Sequence, residues 1–367
     1  MWINNLTYLG NYKIKTCNVD QNSVNGICLK DNKKFFYKVA EKEYISLEEK
    51  GYNLYSCYVY CSKIIERINI DEEFDCLIFE YDETIRNNEG LLCDLLNNEE
   101  VTEKSFFIIN DILTEYSKTF DFVGNAESGL QAKRFFYEKV SRIYKWYSDK
   151  PSIKIQINNH LYYMERIISE LMSFSTNYQM GKGILSHGDP GDLNFTIRPG
   201  FVDLATVGYN DFFLEFAIFF WNIYAGGIYF FPKYHYSKYA QHNLVYTANK
   251  IEFEYTVKDE NLSVHNINIT CTNQRIYLLN RIIDIFESIQ PFSNSKSCKK
   301  NIVYFIIFRM LSIINAHQME KEDKYFLYSL VVYIYQGLSY DGSIFDFLRL
   351  LVSKTMQSKS RLYSKVD

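Results

Sequence analysis

The sequence predicts an α+β protein of two lobes, in which a small antiparallel sheet precedes a larger, mostly helical region. Residues 7–40 contain three strand-like runs separated by turn residues, a pattern typical of a strand meander. From about residue 83 onward, apolar residues recur mostly with helical spacing. The chain of 367 residues is long enough for two modest cores. We therefore expect an N-terminal lobe at 1–82 and a C-terminal helical lobe at 83–367.

The elements of the first lobe follow from its turn residues and its alternation. The predicted strands are YLGNYKIKTC, NGICLK and KFFYKVA, with turns at 22–26 and 31–33. Residues 41–58 are predicted to form a helix. Residues 77–81 are predicted to form the last strand of this lobe and to lead into a hinge.

The second lobe is predicted from its apolar runs. Helices are expected at 90–96, 104–120, 132–147 and 162–174, and again at 276–289, 302–317, 323–337 and 344–352. Residues 251–272 alternate instead, which predicts an inserted β-hairpin. The uncharged run at 216–231 is shorter than a usual membrane span, so we interpret it as a buried helix and expect no membrane span.

Composition narrows the class of protein. Hydrophobic residues make up 47% of the chain, charged residues 23%, and the net charge is −4. These values are typical of a globular protein and argue against general nucleic-acid binding. The eight cysteines form no CxxC pair, which suits a reducing compartment. The N-terminal residues lack a basic and then apolar leader pattern, so a cytoplasmic location is expected.

In the segment at 186–217, polar residues have a spacing typical of a catalytic site. It contains the motif His187-Gly188-Asp189, then Asn194 five residues after that aspartate, then Asp203 after two apolar residues. Transfer of a phosphoryl group requires positioning and charge neutralisation more than covalent help. A carboxylate can orient the acceptor hydroxyl, while amide and carboxylate oxygens suit Mg²⁺. The spacing therefore indicates phosphoryl transfer.

In this segment the sequence resembles the aminoglycoside phosphotransferase and choline kinase family, whose members have a protein-kinase-like fold. The loop HGDPGDLNF is similar to the family motif HGDxxxxN, and FVDLATVGYNDFFLEFA is similar to its metal-binding strand and following helix. The resemblance implies that Asp189 is the catalytic aspartate and that Asn194 and Asp203 bind Mg²⁺. It further implies ATP or GTP as co-substrate and an ordering role for His187.

The chain departs from the family pattern at three places. Glu215 stands where the family usually has an aspartate that supports the catalytic loop, and a longer acid can still reach that loop. Asn194 and Asp203 are only nine residues apart, so we expect Pro199-Gly200 to supply a tight turn. Leu204 replaces the usual aromatic residue after the metal-binding aspartate.

The resemblance also assigns nucleotide-binding roles in the first lobe. Lys38 occupies the position of the third-strand lysine that binds phosphate oxygens in kinases. We expect Glu48 to pair with it, with Glu49 as the alternative. The loop from Cys17 to Gly26 has a single glycine, but its Ser23 and backbone amides could still contact phosphate. Glu80 and Tyr81 are expected at the hinge, where the base would lie.

The acceptor is not specified by any motif. Helices after residue 218 are expected to contribute its site, and the hairpin could be an acceptor lid, a dimer edge or a surface addition. Five carboxylates could line a site for a cationic acceptor, although a solvated helix face is the favoured interpretation: Asp284, Glu287, Glu320, Glu322 and Asp323. Oligomeric state is left open.

The predicted function is transfer of a γ-phosphoryl group from ATP or GTP to a hydroxyl of a small molecule such as an aminoglycoside, choline or a sugar. The alternative is a catalytically inactive, kinase-like binding or assembly protein similar to spore-coat relatives of the family. Two features favour that alternative: the short connection between Asn194 and Asp203, and the glycine-poor loop. Retention of all three polar site residues, Asp189, Asn194 and Asp203, opposes it. A protein kinase is less favoured because no activation segment follows Asp203.

Overall fold

A computed structural model describes residues 7–19, 23–83, 90–98, 102–127, 129–149, 151–235, 251–290 and 292–355. Within these ranges the predicted bilobal α+β fold is confirmed. A seven-stranded antiparallel sheet forms the first lobe, with strand order β1-β2-β4-β5-β7-β6 and β3 paired to β4. Its strands are β1 Tyr8–Leu9, β2 Tyr12–Ile14, β3 Asn18–Val19, β4 Ser23–Lys30, β5 Lys33–Glu41, β6 Ile64–Asn69 and β7 Phe74–Glu80.

The alternation of β5 decides which residues face the first helix. Tyr37 and Val39 lie on the sheet face that packs with β1, β2 and β4. Lys38 and Ala40 point to the opposite face, where Ala40 packs with Ile45 of helix α1, Lys42–Tyr55. The strand period therefore directs the side chain of Lys38 toward α1. The sequence predicted neither β3 nor β6, and its first predicted strand is divided into β1 and β2. The predicted turn at 22–26 is wrong, because residues 23–26 lie in β4 and pair with β5.

The helical lobe contains the predicted helices with shifted ends. Helices α2 and α3 come first, and a long helix follows in which α4 and α5 flank a π-helical turn at Arg134–Lys139. Helix α7 likewise continues through a π-helical stretch, Asn222–Phe230, into α8. The bounds are α2 Leu92–Asn97, α3 Glu103–Ser117, α4 Leu130–Lys133, α5 Val140–Trp146, α6 Met164–Asn177, α7 Phe212–Trp221, α8 Phe231–Tyr234, α9 Asn273–Ser288, α10 Cys298–Ile313, α11 Lys321–Tyr335 and α12 Ile344–Thr355.

The predicted hairpin is present and belongs to a larger sheet. Its strands are β15 Ile251–Lys258 and β16 Asn261–Ile269, and β16 pairs in parallel with β9 of a second hairpin that the sequence did not predict. The remaining strands are β8 Val123–Asn125, β9 Lys154–Ile157, β10 His160–Tyr163, β11 Lys182–Ser186, β12 Phe195–Thr196, β13 Gly200–Phe201 and β14 Gly208–Asn210. Strands β8, β11 and β14 form a short sheet that leads into the site.

The apolar run at 216–231 is buried inside the helical lobe. The continuous helix Phe212–Tyr234 is long and apolar enough to cross a membrane by length and composition, but its apolar window is 100% buried within the protein. Its rings pack on one another and on neighbouring helices, as in the stacked pair Phe230 and Phe326. Packing in the core therefore accounts for the apolar sequence.

Candidate active site

The loop that follows β11 is held by its own backbone and by His187. The histidine is fully buried, its Nε2 donates to the carbonyl of Val202 at 2.9 Å, and its Nδ1 accepts from the amide of Asp189 at 3.4 Å. Burial is the main cause that lowers the pKa of His187. A neutral, buried imidazole with both nitrogens engaged orders the loop rather than transferring protons.

Gly188 gives the loop its shape. Its φ of +84° lies in the left-handed region, and a Cβ there would meet the carbonyl oxygen of Thr206 at 2.2 Å. Only glycine fits this position without strain. The close approach presses the loop against the turn that follows Asp203.

Asn194 and Asp203 are brought close by the short strands β12 and β13. The side-chain amide of Asn194 donates to the carbonyl of Asp189 at 2.8 Å, and its backbone carbonyl accepts from Val202 at 3.0 Å. The turn differs in detail from the prediction, since Gly200 lies in β13 opposite Thr196 and the turn residues precede it. Glycine is required there because a Cβ would meet the ring of Tyr60 at 2.5 Å.

Lys38 lies between two carboxylates that come from different lobes. Its Nζ is 2.5 Å from Glu48 Oε2 and 2.7 Å from Asp203 Oδ1. Burial acts to lower the pKa of Lys38, but the charges of Asp203 and Glu48 outweigh burial and raise that pKa well above its ordinary value. Glu49 instead pairs with Arg67 at 2.9 Å, so the structure brings Glu48, and not the alternative, to Lys38.

Helix α1 and the residues after Asp203 fit closely together. Glu48 Oε1 accepts from the amide of Leu204 at 3.1 Å, and a Cβ on Gly51 would lie 1.9 Å from the carbonyl oxygen of Leu204. Asp203 itself has a φ of +60°, which is uncommon for a residue with a side chain. Strained backbone of this kind is concentrated at functional sites.

Tyr44 is a member of this cluster that the sequence analysis missed. Its hydroxyl donates to Asp203 Oδ1 at 2.6 Å, and its ring lies 4.7 Å from Lys38 Nζ. The available signal was its position four residues before Glu48, which puts both side chains on one face of α1.

Glu215 supports the loop from behind, as a longer acid was expected to do. It is fully buried, and Oε1 accepts from the amide of Gly188 at 3.1 Å and from the hydroxyl of Tyr116 at 2.6 Å. Gln131 donates to Glu215 Oε2 at 2.7 Å and to the carbonyl of Gly188 at 3.1 Å. Burial is the main cause that raises the pKa of Glu215 to about 7. Gln131 was not identified from the sequence.

Two arginines from the C-terminal helices also reach the loop. Arg309 of α10 has Nη2 3.3 Å from Asp189 Oδ1 and 3.3 Å from Asn222 Oδ1. Arg275 of α9 pairs with Asp192 at 3.2 Å, and both side chains are almost completely buried. Neither was predicted, although Arg309 interrupts an otherwise apolar run and thus gave a signal.

The donor set fits Mg²⁺. Asn194 commits its amide nitrogen to a backbone carbonyl, so the amide oxygen is the atom that could serve a cation. Lys38, Glu48 and Asp203 together carry one net negative charge, which favours a divalent cation nearby. Among the described residues no cluster of three His, Cys, Asp or Glu side chains could hold a metal. One carboxylate with one amide matches the preference of Mg²⁺ for few protein ligands.

The remaining predicted nucleotide-site residues lie at the ends of interior strands of the sheet. Ser23 begins β4 and pairs with Ala40, two residues beyond Lys38 on β5. Glu80 ends β7, and its amide donates to the carbonyl of Lys63 at 2.8 Å. Tyr81 follows and lies with its ring 5.4 Å from Lys34 Nζ. Their roles toward a nucleotide stay predictions.

Four of the five carboxylates considered for a cationic acceptor form ion pairs elsewhere. Asp284 and Glu287 pair with Arg349 at 2.8 Å and 2.5 Å. Asp323 and Glu320 pair with Lys233 at 2.6 Å and 2.7 Å. The exposed positions of Asp284, Glu287, Glu320 and Glu322 agree with the interpretation as solvated helix faces, whereas that interpretation is wrong for Asp323, which is buried.

A cavity of about 600 Å³ lies apart from the predicted site residues. It is lined by the ends of α6 and α10 and by the start of α7, including Glu170, Lys300 and Asn301. None of the predicted catalytic, metal or nucleotide residues lines it. The predicted site is therefore formed by the loop at 187–194 and by Lys38 with its partners, and not by this cavity.

No protein-family model matches the sequence, and no curated protein matches it either.

Solved structures with similarity to this chain include kinases of two kinds. A thermostable mutant of the aminoglycoside phosphotransferase APH(4)-Ia, in ternary complex with AMP-PNP and hygromycin B, is 11% identical over 92% of this chain and 96% of that one, with a TM-score of 0.48. APH(3'')-Id from Streptomyces rimosus, in complex with ADP and streptomycin, is 10% identical over 78% and 95%, with a TM-score of 0.37. The Cydia pomonella granulovirus kinase PK-1 is 21% identical, with a TM-score of 0.23, and the match spans 29% of this chain and 40% of that kinase.

These likenesses concern the fold alone. The kinase-like character of the chain is carried by its architecture: an antiparallel sheet whose strand β5 supplies Lys38, a helix that supplies Glu48, and a loop followed by Asp203.

Proposed function

We propose that this protein is a phosphotransferase that moves the γ-phosphoryl group of ATP or GTP to a hydroxyl of a small molecule. The observation that carries the proposal is the contact of Lys38 with both Glu48 and Asp203, next to the loop that contains Asp189 and Asn194. A lysine held by a helix carboxylate, beside a metal-binding aspartate, is the arrangement that positions nucleotide phosphates in kinases.

Each residue has a role in the proposal. Lys38 binds phosphate oxygens of the nucleotide, and Glu48 holds its ammonium group in place. Asn194 and Asp203 would hold Mg²⁺, which when bound neutralises negative charge on the phosphates. We expect the base near Glu80 and Tyr81, and the phosphates near Ser23 at the start of β4.

The transfer step needs only the acceptor and the nucleotide. The acceptor oxygen forms a bond to the γ-phosphorus, and the bond from that phosphorus to the β–γ bridging oxygen breaks. The nucleoside diphosphate leaves, and the hydroxyl proton passes to the carboxylate of Asp189. Asp189 therefore orients the hydroxyl first and accepts its proton late.

A second candidate is an inactive, kinase-like binding or assembly protein. It is favoured by the contacts of the two aspartates, because Asp189 lies 3.3 Å from Arg309 and Asp203 is held by Lys38 and Tyr44. An active enzyme must exchange the contacts of Asp203 with Lys38 and Tyr44 for contacts with metal and phosphate. A scaffold protein keeps the contacts of both aspartates.

Thermal melting with Mg²⁺-ATP and Mg²⁺-GTP tests the first candidate. Ligand at about 100 Kd stabilises a protein by about 2.7 kcal/mol, so the midpoint should rise by several degrees. The shift should require Mg²⁺ and should be strongly reduced in Asp203→Asn. No shift with either nucleotide would favour the binding protein.

Asp189→Asn is the matched variant for chemistry. Because Asp189 is proposed to act on the acceptor hydroxyl, this change should keep the Mg²⁺-nucleotide shift and abolish transfer. An equal shift for wild type and Asp203→Asn would contradict the metal assignment.

A further inference from the structure

We propose that Tyr44 competes with Mg²⁺ for the carboxylate of Asp203 and thereby sets the affinity of the site for a Mg²⁺-nucleotide complex. The inference rests on the proposed function and assigns a regulatory role to a residue of that same site. It is carried by the contacts of the Tyr44 hydroxyl, and by separate supports that hold the backbone on both sides of Asp203.

The hydroxyl of Tyr44 lies between an ammonium group and a carboxylate. It donates to Asp203 Oδ1 at 2.6 Å, and Lys38 Nζ lies 3.5 Å from the hydroxyl oxygen and 2.7 Å from the same Oδ1. A hydroxyl has a single proton, so the proton points to the carboxylate and the oxygen faces the ammonium group. Asp203 Oδ1 therefore accepts two hydrogen bonds, one from strand β5 and one from helix α1.

These two hydrogen bonds oppose the binding of a cation by Asp203. A carboxylate oxygen has about two lone-pair sites, and the ammonium group and the hydroxyl proton beside Oδ1 both repel a positive ion. In the proposed function Lys38 receives phosphate oxygens in exchange for its contact with Asp203, whereas Tyr44 receives no such partner. The loss of its hydrogen bond to a charged group therefore counts against Mg²⁺ binding.

The backbone around Asp203 has supports other than this hydroxyl. Before it, His187 Nε2 donates to the carbonyl of Val202 at 2.9 Å, and after it the amide of Leu204 donates to Glu48 Oε1 at 3.1 Å. Both supporting side chains are buried, whereas the side chain of Asp203 is 34% exposed. The turn is thus held by protected contacts while the carboxylate is accessible, which favours competition over a role in positioning.

The ring of Tyr44 has contacts of its own, which allow the hydroxyl to be tested alone. Its centroid lies 4.7 Å from Lys38 Nζ and 5.9 Å from the guanidinium of Arg134, which belongs to the second lobe. Attraction between a cation and an aromatic face does not require the hydroxyl. Tyr44→Phe therefore keeps the ring between both cations and removes only the hydrogen bond to Asp203.

Binding of AMP-PNP tests the inference without transfer. Its Kd is measured by calorimetry for wild type and Tyr44→Phe, once with Mg²⁺ in excess and once with EDTA. Because wild type alone must break a hydrogen bond to a charged group, the Kd with Mg²⁺ should be about 10-fold lower for Tyr44→Phe. With EDTA the two proteins should behave alike, since Asp203 then has no metal to bind. Weaker binding of Mg²⁺-AMP-PNP by Tyr44→Phe would overturn the inference and would show that the hydroxyl positions Asp203.

Tyr12→Phe is the matched control. Tyr12 lies in the same lobe, and its hydroxyl donates to a different carboxylate, Glu66 Oε2, at 3.0 Å. The control variant also loses one hydrogen bond to a carboxylate, and it should bind Mg²⁺-AMP-PNP like wild type. An equal gain of affinity in both variants would overturn the inference, because it would reflect a general change in the lobe.

The same titrations separate the inference from the proposed function. Binding of Mg²⁺-AMP-PNP with equal affinity to wild type and Tyr44→Phe would overturn the inference and leave the proposed function standing. No binding by either protein would overturn both. Binding by Tyr44→Phe alone would support the inference, because wild type would then be closed to the metal by the hydroxyl of Tyr44.

Discussion

At the scale of single residues, the site combines buried acids of opposite character. Glu48 is buried against a lysine, whereas Glu215 is buried against neutral donors, namely Tyr116, Gln131 and a backbone amide. Burial raises the pKa of both carboxyl groups, against the opposing effect of Lys38 on Glu48 and of the hydrogen-bond donors on Glu215. The pKa of Glu215 is raised to about 7.

The raised pKa of Glu215 predicts a pH-dependent stability. Between its ordinary value of 4.5 and about 7 the folded protein holds a proton that the unfolded chain has lost. The free energy of unfolding should therefore fall as pH rises through this window. Between pH 5 and pH 8, the free energy of unfolding measured by urea denaturation should fall by roughly 2 to 3 kcal/mol more for wild type than for Glu215→Gln. Parallel pH profiles for the two proteins would contradict the prediction.

The residues found and missed at the site differ in how far their contacts reach along the chain. Asp189, Asn194 and Asp203 lie in one short segment, and Lys38 and Glu48 are ten residues apart, so local spacing was enough. Arg309 acts on a loop 120 residues earlier, and no local pattern records such a contact. Tyr44 appears in sequence as an ordinary helix residue, although it contacts Asp203.

At the scale of elements, the strength of the periodic pattern decided what could be predicted. The long helices and the hairpin β15–β16 repeat their apolar residues over many positions, with helical spacing in the first case and alternation in the second. Both were identified from the sequence, with ends shifted by a few positions. Strand β6 is mostly exposed and shows no alternation. Strands β9 and β10 have four residues each, joined at Asn158 and Asn159, whose φ values of 51° and 64° make a tight turn. Elements this short have no readable period.

The close fit of α1 against the turn after Asp203 predicts an unusual response at Gly51. By helix propensity alone, Gly51→Ala would stabilise the helix by about 1 kcal/mol. Because the added Cβ would lie 1.9 Å from a backbone oxygen, we expect a loss of about 2 kcal/mol instead. The Mg²⁺-ATP melting shift should also shrink, since Glu48 lies one turn away on the same face.

Gly181→Ala is the control, because a Cβ there meets no atom within 4 Å. Its stability should stay within about 0.5 kcal/mol of wild type. If Gly51→Ala proved as stable as this control, helix α1 would not be held against the turn as described.

At the scale of the whole molecule, helices α9 and α10 contact the loop at 187–194 through Arg275 and Arg309. Arg275 connects α9 to Asp192 of the loop and also donates to the carbonyl of Ile223 at 3.4 Å. Helix α9 therefore supports the geometry of a loop residue that lies 83 positions earlier in the chain.

Removal of Arg275 should show the strength of this connection. Arg275→Met leaves Asp192 buried without its ion pair and should cost about 3 to 5 kcal/mol of stability. Arg281→Met, on the same helix but with a side chain 42% exposed, should cost less than about 1 kcal/mol. Chemical denaturation of the two variants measures the contrast, and similar losses would show that the buried pair does not hold the loop.

The two π-helical stretches have a consequence for how this fold can change during evolution. Each corresponds to a helix that has accommodated an extra residue without breaking, one ending at Lys139 and the other beginning at Asn222. Adding or removing one residue rotates the side chains that follow by about 100° around the helix axis. Single-residue insertions and deletions could therefore exchange the groups that face the loop at 187–194, and with them the acceptor site of the proposed phosphotransferase, while the rest of the scaffold stays unchanged.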